Sequence, residues 1–399
     1  MTTTPAYVYD LDEVDRSAAL LRAALPSPSR LYYSLKANPH PLVVAALRAA
    51  GCHAEVCSPG ELDVALAAGF SPQEVLYTGP GKRDAEVAGA LRLGVRWFSV
   101  DSPHAIDQLD RLSPGDARFL LRVNDSAPVP GQGLTMTGVA SQFGADAEWV
   151  LARPELFGAR VAATPAGFHL YMGTNLTDED ALVAQFTQAA TTARKLADAC
   201  GWDVEVLDLG GGFGAPFARA GDLPVFAGLA GRVADLLDSA FPGWRDGRPR
   251  VAFESGRYLV ATAGRLLTRV LDAKVSHGTP VLVLESGINH LGGMSGLRRL
   301  PPMVPHLHAD HPAGVLRGAI VAGPLCTPLD TWGRGVDVVA ARPGDVLAVP
   351  NVGAYGLYAS LVAFLGHPPP VEVTVRSGRV LDVSALALRR ERATDHDWE

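Results

Sequence analysis

The chain has 399 residues, room for two domains of which one can be large. At 48% hydrophobic and 19% charged it can bury a sizeable core, which excludes a disordered chain. A net charge of -7 without a basic block argues against a nucleic-acid partner, and no apolar run reaches membrane-spanning length.

The opening Met-Thr-Thr-Thr-Pro-Ala lacks the charged and apolar regions of a secretion signal. Cys52, Cys57, Cys200 and Cys326 form no CxxC pair and no metal-ligand spacing. They read as reduced thiols, so a cytoplasmic protein is expected.

In chain order, residues 6–9 read as a strand. Strand 32–34 then precedes helix 42–50, and strand 54–56 precedes helix 60–68, with Gly69 as its stop. Strand 75–78 precedes helix 84–93, and strand 97–100 precedes helix 103–112. Further apolar strands lie at 119–123, 166–170, 204–209 and 251–254, with helices at 178–200 and 224–241. Eight strands alternating with helices predict a (β/α)8 barrel rather than an open doubly wound sheet. Beyond Gly264 the texture changes. Runs 267–275, 280–285, 318–322, 345–349, 371–376 and 380–383 read as strands with Gly/Pro turns and little helix. The expected fold class is therefore α/β, a barrel over 25–264 with a C-terminal β-domain. That β-domain is discontinuous, taking 1–24 and 265–399.

Several clusters fall at predicted strand ends, the face on which barrel enzymes assemble their sites. Lys36 follows the run Arg30-Leu-Tyr-Tyr-Ser-Leu, where a desolvated amine with a lowered pKa is a nucleophile for carbonyl compounds. A lysine snorkelling at a strand end is the plain alternative. Asp208-Leu-Gly210-Gly211-Gly212-Phe-Gly214 can expose backbone N–H groups to a phosphate, or be only a tight turn. Glu254-Ser-Gly256-Arg257 offers a carboxylate for a pyridine nitrogen and a charge for a phosphate, or a surface ion pair. His169 can stack on a flat ring or be a satisfied structural residue. Cys326, in Gly323-Pro-Leu-Cys326-Thr327-Pro-Leu-Asp330, is an inert thiol or a proton donor, and Tyr355 is a core phenol or a phosphate ligand.

With these residues in place, the chain resembles the fold-type III pyridoxal phosphate decarboxylases, the family of diaminopimelate and ornithine decarboxylases. Its barrel is alanine racemase-like, and the resemblance runs from Tyr7 to Val383. It implies pyridoxal 5'-phosphate as cofactor, with Lys36 forming the internal Schiff base and His169 stacking on the ring. Gly210, Gly211, Gly212, Gly256, Arg257 and Tyr355 would hold the phosphate end, and Glu254 the pyridine nitrogen. Cys326 would come from the partner subunit of a homodimer and return a proton after carbon dioxide leaves. Racemisation and a non-catalytic pyridoxal-binding role are the remaining alternatives.

The departures from the family concern substrate. The acidic residue that follows the cysteine in diaminopimelate and ornithine decarboxylases is here Thr327, and Gln142 replaces a lysine in Ser141-Gln-Phe-Gly144. Thr327 and Asp330 are the expected substrate contacts, and Arg298 or Arg299 would serve a distal carboxylate. The run 326–330 and Phe364-Leu-Gly-His-Pro368 are similar to a secondary-metabolism branch. That branch takes carrier-bound glutamyl groups or a citryl-diaminopropionate siderophore conjugate. A small-molecule or carrier-bound substrate with a neutral or conjugated distal end follows, with diaminopimelate decarboxylation as the alternative.

Overall fold

The computed structural model describes residues 3–125, 138–292 and 304–390 and divides the chain into two units. One takes Leu11–Pro216 and Gly221–Thr262; the other takes Met1–Asp10, Phe217–Ala220 and Ala263–Glu399. Strand β1 (Ala6–Asp10) belongs to the second unit.

The first unit opens with α1 (Leu11–Ala23) and continues through β2 (Arg30–Ser34), α2 (Pro41–Ala49), β3 (His53–Val56) and α3 (Pro59–Ala67). It then runs β4 (Val75–Tyr77), α4 (Asp84–Arg92), β5 (Trp97–Val100), α5 (Pro103–Leu112), β6 (Ala117–Asn124), β7 (Ala145–Asp146) and α6 (Ala147–Ala152). The last turns are β8 (Ala163–His169), α7 (Glu179–Cys200), β9 (Val206–Asp208), α8 (Leu229–Ala240), β10 (Arg250–Ser255) and α9 (Arg257–Val260). Local chemistry sets the helix starts. His40, Ser58 and Ser102 each precede a proline, and their side chains accept from Leu42, Glu61 and Ala105 N–H groups. Gly201, at φ 66°, ends α7 in the left-handed conformation.

Among the described residues, eight parallel strands close in the order β2-β3-β4-β5-β6-β8-β9-β10 and back to β2. This is the predicted (β/α)8 barrel. Tyr32, Leu76, Leu120, Ala166, Val206 and Ala252 supply a buried apolar layer, with Trp97 packed against it. Two residues further along their strands come Ser34, Thr78, Ser99, Arg122, Asp208 and Glu254, all buried. The period of two that places the first set inside places the second set inside as well. Strand β8 differs. Its pairing with β6 passes from Phe119↔Pro165 to Leu120↔Gly167, so Ala166 is an extra residue and His169 follows it by three rather than two.

The second unit is a β-rich sheet, eight-stranded among the described residues. It uses β11 (Gly264–Ser276), β12 (Thr279–Leu284), β13 (Val315–Ala322), β14 (Thr331–Val339), β15 (Val346–Val349), β16 (Val371–Arg376) and β17 (Arg379–Ala385). Strand β1 lies inside it, antiparallel to β11 and parallel to β16. Tyr7 donates to His290 O at 2.7 Å, while Tyr9 and Tyr358 donate to the two oxygens of buried Glu372 at 3.0 and 2.9 Å.

Two features differ from the sequence reading. The boundary at residue 24 moves to Asp10, because Leu11, Val14, Ala18 and Leu21 form a buried face that packs α1 on α2 and α9. Strand β14 was not expected, since Gly333 and Gly335 interrupt its pattern and its pairing with β13 is irregular. Among the described residues no helix is long and apolar enough to cross a membrane.

The β8 irregularity also makes a prediction. Gly167 has φ 146°, and a Cβ there would overlap Val206 O on β9. Gly167→Ala is expected to lower unfolding stability by about 2–4 kcal/mol, read from the denaturant midpoint. An unchanged midpoint would show that β8 and β9 can separate freely.

Candidate active site

Lys36 sits on a single 3-10 turn, Leu35–Ala37, that continues β2 past its last paired residue. Its Nζ donates to Glu55 Oε1 and Oε2 at 3.1 and 3.4 Å. The amine is therefore ion-paired, on a side chain 40% exposed, rather than desolvated as the strand-end argument expected. Burial would push the Glu55 carboxyl up. The Lys36 ammonium, with hydrogen bonds from Ser34 and Thr78, overrides it and holds Glu55 at about 2. Thr78 Oγ1 donates to Glu55 Oε1 at 2.7 Å.

The lysine whose pKa burial does depress is Lys82, pushed down to about 8. Its Nζ donates to Gly79 O at 2.5 Å and Ser99 O at 2.7 Å, which makes it a brace between the ends of β4 and β5.

Across the barrel mouth, His169, Asp208 and Glu254 project from β8, β9 and β10, all fully buried. Their donor atoms lie within 4.8 Å of one another. His169 Nδ1 meets Ser99 Oγ at 2.8 Å, while Nε2 is 3.3 Å from Glu254 Oε1 without hydrogen-bond alignment. Burial disfavours the charged imidazole, but the Glu254 carboxylate outweighs it and raises the His169 pKa. Burial and then the Glu254 charge push Asp208 up to about 7. Glu254 Oε1 and Asp208 Oδ2 have no hydrogen-bond partner, so this pocket presents unmatched acceptors to whatever enters it.

The glycine run follows β9. Gly210 and Gly212 have φ 66° and 102°, and a Cβ on Gly210, Gly211 or Gly212 would collide with Leu170 O, Glu254 O or Gly173 O. Gln185 on α7 supports the run from behind, its Nε2 donating to Gly211 O at 2.5 Å. At the end of β10, Gly256 allows close approach to the lysine turn: a Cβ there would meet Ala37 Cβ at 2.8 Å. Arg257 opens α9 beside it. Arg122 lies over the Phe143 ring, 4.8 Å from its centroid, which gives the 141–144 segment a fixed contact.

Lys36, His169, Gly210, Gly211, Gly212, Glu254, Gly256 and Arg257 thus all belong to the barrel unit. Cys326, Thr327, Asp330 and Tyr355 belong to the β-rich unit. There Cys326 is exposed, Thr327 Oγ1 accepts from Leu329 N at 3.3 Å, and Tyr355 is partly buried at φ 55°. Asp330 departs from its expected substrate contact. It is 2% exposed and both carboxylate oxygens accept backbone N–H groups, from Ile288 and Leu325. Arg298 and Arg299 lie outside the described residues. Sequence reasoning missed Glu55, Gln185 and Arg122, and gave Asp208 no role. The available signal was a polar residue two positions beyond the buried apolar one on each barrel strand.

Residues 11–261 match the pyridoxal-binding domain of the pyridoxal-dependent decarboxylases. The L-glutamyl-(BtrI acyl-carrier protein) decarboxylase of Niallia circulans is 33% identical, over 94% of this chain and 89% of that protein. A diaminopimelate decarboxylase of Methanothermobacter thermautotrophicus is 32% identical, over 99% and 90%. The 2-[(L-alanin-3-ylcarbamoyl)methyl]-2-hydroxybutanedioate decarboxylase of Staphylococcus aureus is 29% identical, over 91% and 92%. In fold, the chain is similar to the crystal structure of a Helicobacter pylori diaminopimelate decarboxylase complexed with L-lysine. The TM-score is 0.83 at 24% identity, over 96% and 95% of the two chains.

The cofactor is pyridoxal phosphate, and the barrel mouth fits it. The orphaned Glu254 Oε1 suits a protonated ring nitrogen, and Lys36 supplies the amine. The carbonyls of Gly211 and Gly212 are taken by Gln185 and Leu176 N–H, and their own N–H groups have no acceptor among the described residues.

Two measurements check this site. Gln185→Leu is expected to weaken cofactor affinity roughly tenfold through the loosened glycine run, read by titration of the cofactor-free protein. Unchanged affinity would show that the run needs no support from α7. The second concerns Glu55, whose stability contribution is full above about pH 4.5 and lost as pH falls toward about 2, because its folded pKa is depressed. In cofactor-free Lys36→Met, burial prevails and the carboxyl rises above its ordinary value. The variant should then gain stability, relative to the parent, as pH falls from about 7 to about 5. Parallel melting curves over that range would contradict the ion pair.

Proposed function

The chain belongs to the pyridoxal-dependent decarboxylases, and we propose that it removes the α-carboxylate of an L-amino acid whose distal end is neutral or conjugated. One observation carries this reading. Thr327 follows Cys326, where diaminopimelate and ornithine decarboxylases place an acid. A distal ammonium facing Thr327 would lack its charge partner, a loss of about 2–3 kcal/mol in a closed site. Two relatives support the same direction, since their names describe an amino acid as part of a larger conjugate, one of them on an acyl-carrier protein.

When bound, pyridoxal phosphate supplies an electron-withdrawing ring that accepts the electron pair left as carbon dioxide departs. Glu254 would keep the ring nitrogen protonated, and buried His169, fixed by Ser99, would help hold the ring. Gly210, Gly211, Gly212, Gly256 and Arg257 would hold the phosphate end. Lys36 would anchor the cofactor through its amine, which Glu55 orients. Cys326, contributed by a second copy of the chain, returns a proton to the α-carbon. Its exposure in the single chain suits that role. Four free cysteines suit a reducing, cytoplasmic setting.

Carbon dioxide release should be measured on two substrate groups. One holds free diaminopimelate, lysine and ornithine; the other holds amide or thioester conjugates of small amino acids. Turnover confined to conjugates is expected. Turnover of free diaminopimelate would overturn the reading of Thr327 and make the 32% identical diaminopimelate decarboxylase the better guide. Thr327→Asp should lower kcat/KM on the preferred conjugate about 10- to 100-fold by setting an unpaired carboxylate against a neutral group. Lys36→Ala should abolish the visible absorbance band that the loaded protein shows.

A further inference from the structure

Asp330 closes the loop between β13 and β14 at whose exposed tip Cys326 and Thr327 stand. Its Oδ2 accepts from Leu325 N at 2.7 Å, and its Oδ1 accepts from Ile288 N at 2.8 Å. Backbone bonds tighten the same loop. Gly323 N donates to Asp330 O at 3.1 Å, Asp330 N to Thr327 O at 3.2 Å, and Thr327 N to Leu325 O at 2.7 Å. Two glycines make space for the carboxylate, because a Cβ at Gly287 or at Gly323 would overlap its oxygens. Ile288 O in turn accepts from Leu361 N at 3.3 Å, and Trp332 Nε1 donates to Leu291 O at 3.1 Å. One carboxylate therefore joins the 287–291 segment to the 323–330 loop.

The plain alternative is a buried aspartate that only stabilises a turn. Three features go beyond that. The carboxylate bridges two segments far apart in the chain as well as closing its own loop. Both of its oxygens face N–H donors, so an amide in its place would turn an NH2 against an N–H. Two separate backbone positions have to be glycine for it to fit. Among the described residues the other bonds of the loop tip are all short-range, from Thr327 N to Leu325 O, Leu329 N to Thr327 Oγ1, Thr331 N to Leu329 O and Thr331 Oγ1 to Pro328 O, and Leu329 is exposed. The Asp330 carboxylate thus ties the loop that carries Cys326 to the distant Ile288 amide.

We propose that Asp330 is the positioning residue for Cys326, clamping the 323–330 loop to 287–288 so that the thiol delivers its proton from one fixed direction. The proposal rests on Cys326 as the proton donor of the preceding section. Proton transfer needs hydrogen-bond reach, and a displacement near 1 Å costs about 100-fold in rate. When carbon dioxide leaves, the electron pair remaining at the α-carbon forms a new C–H bond. The proton comes from the Cys326 thiol, and solvent then re-protonates the thiolate. A slack loop lets water compete from either face.

In deuterium oxide the intact enzyme should place one deuterium at the product carbon with a single handedness. Asp330→Asn should give a mixture of both, with kcat reduced about 10- to 100-fold and KM changed much less. Alkylation of Cys326, followed on its peptide in loaded and in cofactor-free protein, should be several-fold faster in the variant. Gly323→Ala, which pushes on the carboxylate while keeping it, should reproduce both results. If either variant is too unstable to purify, hydrogen exchange of the unaltered protein decides: the Leu325 and Ile288 amides should be protected relative to the loop tip. A single handedness together with unaltered alkylation in a folded variant overturns the clamp, as does free exchange at both amides. A Cys326→Ala enzyme that keeps a single handedness would instead overturn the donor role, and the alkylation and exchange results would still judge the clamp separately.

Discussion

The Glu55 carboxylate carries a negative charge in a place where burial alone would neutralise it, and the Lys36 ammonium is what sustains that charge. The pair matters because it fixes the amine proposed to carry the cofactor. A lysine on a short turn beyond a strand has four rotatable bonds and open solvent beside it, so packing alone would leave it unplaced. Thr78, Ser34 and Glu55 form a polar seat contributed by neighbouring strands, and the amine is held over the barrel mouth. Lys82 shows the contrast. It is more deeply buried and its pKa is lowered, yet two carbonyls hold its protons and it serves as a brace.

The other side of the mouth is organised by negative charge in excess. Asp208 and Glu254 emerge side by side from adjacent parallel strands, and burial, then the Glu254 charge, raises Asp208 toward neutrality. His169 reduces this repulsion only in part, since its Nε2 approaches Glu254 without aligning with it. A protonated ring nitrogen is the kind of group such a pocket stabilises. The extra residue in β8 sets where His169 stands, because it shifts the inward register by one position between the apolar and polar layers. Backbone packing imposes the glycines at 210–212. Carbonyl oxygens occupy the places where their β-carbons would go.

The β-rich unit uses buried acids differently. Glu372 is held by two tyrosines, one of them on β1, which ties Ala6–Asp10 into a sheet built from the last part of the chain. Asp330 is held by two backbone amides. In both cases the oxygens are occupied, so these carboxylates act on the chain itself, whereas Glu254 in the barrel keeps an oxygen open.

By itself the sequence determined what depends on neighbours a few positions apart. The alternation of strands and helices, the polar-proline helix starts and the residue types at strand ends are all local, and they sufficed for the barrel and for placing Lys36, the glycine run and Glu254 at its strand ends. Closure of the barrel decided the rest. Glu55 became the partner of Lys36 only when β2 and β3 paired, and Asp208 met Glu254 only through the pairing of β9 with β10. Asp330 could not be judged from its position near Cys326. Its orientation depends on Ile288, forty-two residues away, whose N–H competes for the oxygen that a substrate would otherwise have met. Periodicity tells which residues face inward; tertiary pairing tells which of them meet.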